Sequence, residues 1–125
     1  MHGVRRAIIL LPLLAGLLGS AQAAGQDAPR DAQQAFRAEV QKAYTLAEAK
    51  QYDDACAQMR PLSRRPVLAT FPDRERASLL ADMGFVFLAC DRPREAYDAL
   101  KVAAELRPTR WRLLTLAEAG ERAGK

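Results

Sequence analysis

The chain has 125 residues, 50% of them hydrophobic and 27% charged, with a formal net charge of +4. Arg5 and Arg6 are the only charged residues among the first 23, so removing that stretch takes +4 to +2, too modest a basicity to imply a nucleic-acid partner. His2 is the sole histidine and lies in the same stretch, so the rest of the chain excludes Ser-His-Asp and Cys-His catalysis and nearly all zinc sites.

Residues 1–23 read MHGVRRAIILLPLLAGLLGSAQA. A basic Arg5-Arg6 pair, an apolar run over Ala7–Leu18 and small residues at Ala21-Gln22-Ala23 form the pattern of a secretory signal peptide. The apolar run is shorter than the about 20 residues of a bilayer span. No cysteine stands near the junction, as a bacterial lipoprotein would need. The expected location is the bacterial periplasm, with membrane contact only through this segment if it stays uncleaved. Residues 24–31 are polar, hold Pro29, and read as a disordered lead-in. The folded domain is expected over 32–125, about 100 residues and enough for one core.

From Ala32 to Lys50, Phe36, Val40, Ala43, Tyr44 and Ala47 recur at helical spacing. A turn follows at Lys50-Gln51-Tyr52. Asp53 and Asp54 then open a helix on the side its dipole favours. Ala55, Met59 and Leu62 step by four and three along that helix, which gives a hairpin over about 32–64. Pro61, Pro66 and Pro72 interrupt helix around Ser63–Asp73. Val67, Leu68 and Phe71 make that stretch too apolar for a free linker, so it is expected to fold back on the helices, where it could add a binding edge.

A second hairpin is expected over about 74–107. Leu80, Met83, Gly84, Phe87 and Leu88 supply one helical face. A mid-helix glycine costs about 1 kcal/mol against alanine, and close approach of a second helix is the physical reason to accept it. Pro93 fits a first helical turn, and Ala96, Leu100 and Ala103 again step by four and three. Asp91 is the expected N-cap of this helix, Glu95 lies in its first turn, and Pro108 stops it. Thr109 can cap a last helix over about 109–123, where Trp111, Leu113, Leu114, Leu116 and Ala117 supply apolar faces. Trp111 reads as a packing residue. Nothing alternates with the period of strands, so the expected fold is all-α, with five helices.

Leu80, Met83-Gly84, Phe87, Ala96, Leu100, Ala103 and Pro108 resemble the tetratricopeptide repeat, whose period is about 34 residues and which ends in proline. KQYDDA, with Tyr52, resembles the turn of a first such repeat. In the second, Pro93 stands where the family has its tyrosine, and in the first Lys42 stands beside Ala43 where the family prefers a large apolar residue. Ala55 and Ala96 lie 41 positions apart, more than one period, and the surplus falls in Ser63–Asp73. The resemblance implies antiparallel helix-hairpin repeats, an α-solenoid fragment closed by a C-terminal capping helix. Ala55, Gly84, Ala96 and Ala103 would be its helix-packing positions. A generic antiparallel helical hairpin is the plainer alternative.

In that family the first helix of each pair lines a concave groove. The positions this implies are Arg37, Val40, Tyr44 and Ala47, then Ser78, Ala81, Phe85 and Leu88. Phe85 lies off the Gly84 face, and Leu88 stands at its edge. Either the capping helix covers them, or they form an apolar site for a peptide or helix, with Tyr44 and Arg37 at its polar edge. Export makes a disulfide between Cys56 and Cys90 the first expectation. The resemblance also implies antiparallel neighbouring helices with both cysteines on the same side of the stack. Two buried thiols are the alternative.

After residue 23 the glycines are Gly25, Gly84, Gly120 and Gly124, which build no phosphate-binding loop. Asp53-Asp54, Asp82, Asp91, Glu95 and Asp98 lie among Arg and Lys at helix positions that suit capping and surface pairing better than a glycosidase pair. The function expected is noncatalytic: a protein- or peptide-binding scaffold of the bacterial envelope or of a secretion assembly, with no cofactor and no metal. Two alternatives stand beside it. One is a self-associating subunit, a homodimer through the exposed end of the stack; the other is a carbohydrate-active accessory enzyme.

Overall fold

A computed structural model of the protein describes residues 30–125. The expected signal peptide and residues 24–29 lie outside them. The hydrophobic core belongs to the unit of residues 33–125. Helix α1 covers 30–48, so residues 30 and 31, read from sequence as disordered lead-in, are helical. It is followed by α2 (Tyr52–Leu62), a 3-10 helix (Pro66–Thr70), α3 (Asp73–Ala89), α4 (Pro93–Leu106) and α5 (Arg110–Arg122). No strand occurs among the described residues.

Helices α1 and α3 end the same way. In α1 the N–H of Gln51 donates to Leu46 O (2.9 Å) and that of Lys50 to Ala47 O (3.0 Å). In α3 the N–H of Arg92 donates to Phe87 O (2.7 Å) and that of Asp91 to Leu88 O (3.1 Å). Each is a Schellman closure, with Lys50 (φ 65°) and Asp91 (φ 60°) in the left-handed region. Asp91 therefore terminates α3 instead of capping α4. The N-cap of α4 is Arg92, which makes no side-chain cap, and Pro93 at the first position needs no N–H partner. Helix α5 closes likewise, with Lys125 N–H on Gly120 O (2.8 Å) and Gly124 at φ 75°. Its start is capped by Thr109, whose hydroxyl accepts from Arg112 N–H at 3.1 Å.

Helix α3 is the centre of the unit. Ala77, Leu79, Leu80, Ala81, Met83, Gly84, Val86 and Phe87 are all buried on it, because α2 and α4 pack along its sides. Helix α4, by contrast, has one apolar stripe of Ala96, Ala99, Leu100, Ala103 and Ala104. Ala55, Ala96 and Ala103 are fully buried. A Cβ built on Gly84 would fall 2.4 Å from Leu100 Cγ, so α3 and α4 approach to a distance that only glycine allows.

The proline-rich stretch after α2 folds onto α1. Leu68 and Phe71 are buried, and Phe71 packs on Phe36 with ring centroids 5.7 Å apart. Polar contacts fix it from both sides: Gln33 Nε2 donates to Thr70 Oγ1 (3.0 Å), and Arg65 pairs with Glu39 (2.9 Å). Cys56, in the first half of α2, and Cys90, just past α3, form a disulfide with Cα atoms 6.3 Å apart.

Candidate functional site

Helices α1, α3 and α5 share one surface of the unit. Tyr44 of α1 stacks on Phe85 of α3 at 5.0 Å between centroids, tilted by 35°. Beyond Phe85 a cleft of about 340 Å³ runs between α3 and α5, lined by Phe85, Leu88, Ala89, Trp111, Thr115, Glu118 and Arg122. Its far wall is a single stripe of α5, since Trp111, Thr115, Glu118 and Arg122 step by four, three and four. Trp111 is 50% exposed at the mouth. It is an open wall of the cleft and not the packing residue expected from sequence.

The groove residues implied by the family resemblance divide into three kinds. Tyr44, Phe85 and Leu88 are half-buried and present an apolar surface. Ser78 is exposed, and its hydroxyl accepts from Arg112 Nη2 at 3.4 Å. Val40, Ala47 and Ala81 do not line the groove. They are 2%, 4% and 5% exposed and belong to the core, because α1 and α3 pack too closely to leave those positions open. Arg37 does not edge the cleft either. Its guanidinium makes a two-pronged contact with the Glu75 carboxylate, with Nη2 to Oε1 at 2.8 Å, and lies 5.1 Å over the Phe71 ring. Hydrogen bonding from Arg37 holds the Glu75 carboxyl below its usual range. Arg37 thus joins α1 to α3.

Charge around the groove is unevenly committed. Arg112 donates to Arg107 O at 2.6 Å as well as to Ser78. Arg122 pairs with Asp91 at 2.9 Å. The acidic groups are less engaged: Glu48 and Glu118 form no ion pair among the described residues. Burial pushes the Tyr44 hydroxyl above its usual range, and the charges of Glu48 and Asp82 add to that. Burial also raises the Asp82 carboxyl, against an opposing pull from Arg112. The cleft is thus an apolar trough with an acidic flank near Tyr44.

A second cleft, of about 310 Å³, is lined by Ser63, Arg64, Leu80, Phe87, Glu95, Asp98, Ala99 and Val102. It lacks an exposed aromatic, and Arg60 pairs with Glu95 at 3.2 Å on its border. Comparison of the chain with family models, with curated proteins and with solved structures gave no match.

Proposed function

We propose that the protein is a noncatalytic binding module for a peptide segment of another protein, seated on the surface shared by α1, α3 and α5. The observation that carries this is the trough of Tyr44, Phe85, Leu88 and Trp111, apolar and open, with half of Trp111 in solvent. Large amphipathic aromatics at such a surface are the usual anchors of recognition. Glu48 beside Tyr44 on α1 and Glu118 on the α5 wall select a segment with an apolar side chain beside a Lys or Arg.

The tetratricopeptide reading of the hairpins is part of the same proposal. Lys50 and Asp91 close two helices with the same hydrogen bonds, 41 positions apart, the spacing that separates Ala55 from Ala96. Helix α5 closes as α1 and α3 do, which groups it with the first helices of the hairpins. The disulfide is compatible with an oxidising compartment and so with export. We place the module in the bacterial envelope on that ground and on the N-terminal sequence pattern.

Trp111 is the only tryptophan, so its fluorescence reports the trough directly. Peptides selected from a random display library on the immobilised protein are expected to carry an apolar residue next to a basic one. Titrating them is expected to shift Trp111 emission to the blue, with saturation. Trp111→Ala should weaken binding by at least about tenfold, the effect of losing a hot-spot aromatic. Selected peptides that bind Trp111→Ala as well as the parent would reject the site.

A further inference from the structure

The outward side of α5 carries a second stripe. Arg110, Leu114, Ala117 and Glu121 step by four, three and four, the spacing of a helix seam, and all four are exposed. Leu113 widens its apolar middle; it is 51% exposed, and Leu114 is 62% exposed. A surface helix ordinarily puts polar residues there. Neither Arg110 nor Glu121 has an ion-pair partner among the described residues.

The order along the stripe is basic, apolar, apolar, acidic. Laid parallel to a copy of itself, it sets Arg110 against Arg110 and Glu121 against Glu121. Laid antiparallel, it sets Arg110 against Glu121 twice and Leu114 over Ala117 twice. Only the second is self-complementary about a two-fold axis, which an isologous contact requires. Ala117 is small enough for two helix axes to approach. A shallow cleft of about 450 Å³ beside it, bordered by Tyr97, Leu113, Ala117 and Glu121, leaves room for Leu114 of the other copy.

We propose that two copies of this protein pair through an antiparallel α5–α5 contact centred between Leu114 and Ala117. The contact is separate from the peptide trough, which uses the neighbouring stripe of α5 that begins at Trp111. A 13-residue helix is about 20 Å long. The seam is therefore small beside the roughly 800 Å² per partner of a standard interface, and the dimer is weak and reversible.

Sedimentation velocity tests this on the protein recovered after expression of the full sequence, over about 5–500 μM, the range suited to so small an interface. The parent is expected to move from monomer to dimer across that range. Arg110→Glu and Glu121→Arg should each weaken pairing by roughly tenfold or more, because each sets like charges together. An equimolar mixture of those two variants should recover pairing, since each then faces its opposite at both ends. Leu114→Asp should remain monomeric, with the circular dichroism and unfolding midpoint of the parent. A parent that stays monomeric throughout, a mixture that pairs no better than its components, or a Leu114→Asp protein that pairs as the parent does would overturn the proposal.

Discussion

Two glycines of similar helical setting separate packing from propensity. At Gly84 an added methyl would meet Leu100 at its branch point, 2.4 Å away, where side-chain rotation gives little relief. Gly84→Ala gains about 1 kcal/mol in helix propensity and loses about 1–3 kcal/mol or more to overpacking. At Gly120 the nearest atoms are the edge of the Tyr97 ring at 3.3 Å, which a small ring shift accommodates. Chemical denaturation is expected to show Gly84→Ala less stable than the parent and Gly120→Ala equal or more stable. The reverse order would contradict the α3–α4 approach described here. Asp82 gives a pH test. Its carboxyl titrates above the ordinary range in the folded protein because burial disfavours the charge. Between the unfolded and folded values the native state holds the extra proton, so stability falls as pH rises through that window. Asp82→Asn should therefore be stabilising at pH 7. Its advantage should shrink as pH falls through the raised value towards the ordinary aspartate range, and urea midpoints across pH 3–7 would measure it.

At the scale of elements, the disulfide closes a loop between α2 and the end of α3, at a sequence separation of 34. In the chain-entropy model such a bond stabilises by about 4 kcal/mol. Cys56→Ser with Cys90→Ser is expected to lower the unfolding free energy by about that amount, with helix content unchanged. An unaltered midpoint would show that the helices alone fix the hairpins. The helical class and the cysteine pairing were legible in the sequence. The first follows from four-and-three stepping punctuated by prolines, as in Ala96, Leu100 and Ala103. The second is what a signal-peptide-like N-terminal pattern leads one to expect, together with the repeat-like placement of Cys56 and Cys90. What local sequence hid is equally specific. Asp91 has the side chain of an N-cap, yet the three-residue turn requires a left-handed residue there, and aspartate tolerates that conformation. Pro66 marks a break in α-helix but also opens a 3-10 turn. Val40 and Ala81 sit on the groove-facing helices, but how deeply a position is covered depends on the neighbouring axis, which no single helix records. The α5 wall was readable as the stripe Trp111, Thr115, Glu118 and Arg122. That it faces Phe85 follows only from the way α5 packs on α4.

Across the unit of residues 33–125, a central apolar helix flanked by amphipathic ones leaves a trough where aromatic surface meets solvent. That trough is bounded by α1 and α5; Arg37–Glu75 joins α1 to α3, and Arg122–Asp91 joins α5 to the turn after α3. Both ties are exposed ion pairs, which contribute little to stability and depend on salt. Their plainer effect is to fix each wall on α3, which preorganises a binding surface at little cost in global stability. The most direct test is amide and indole chemical-shift mapping of the labelled protein with a peptide selected on it. The largest changes are expected at Tyr44, Ser78, Phe85, Leu88, Thr115 and the Trp111 indole. Changes centred instead on Ser63, Arg64, Asp98 and Val102, with the Trp111 indole unmoved, would place binding in the other cleft and contradict the account.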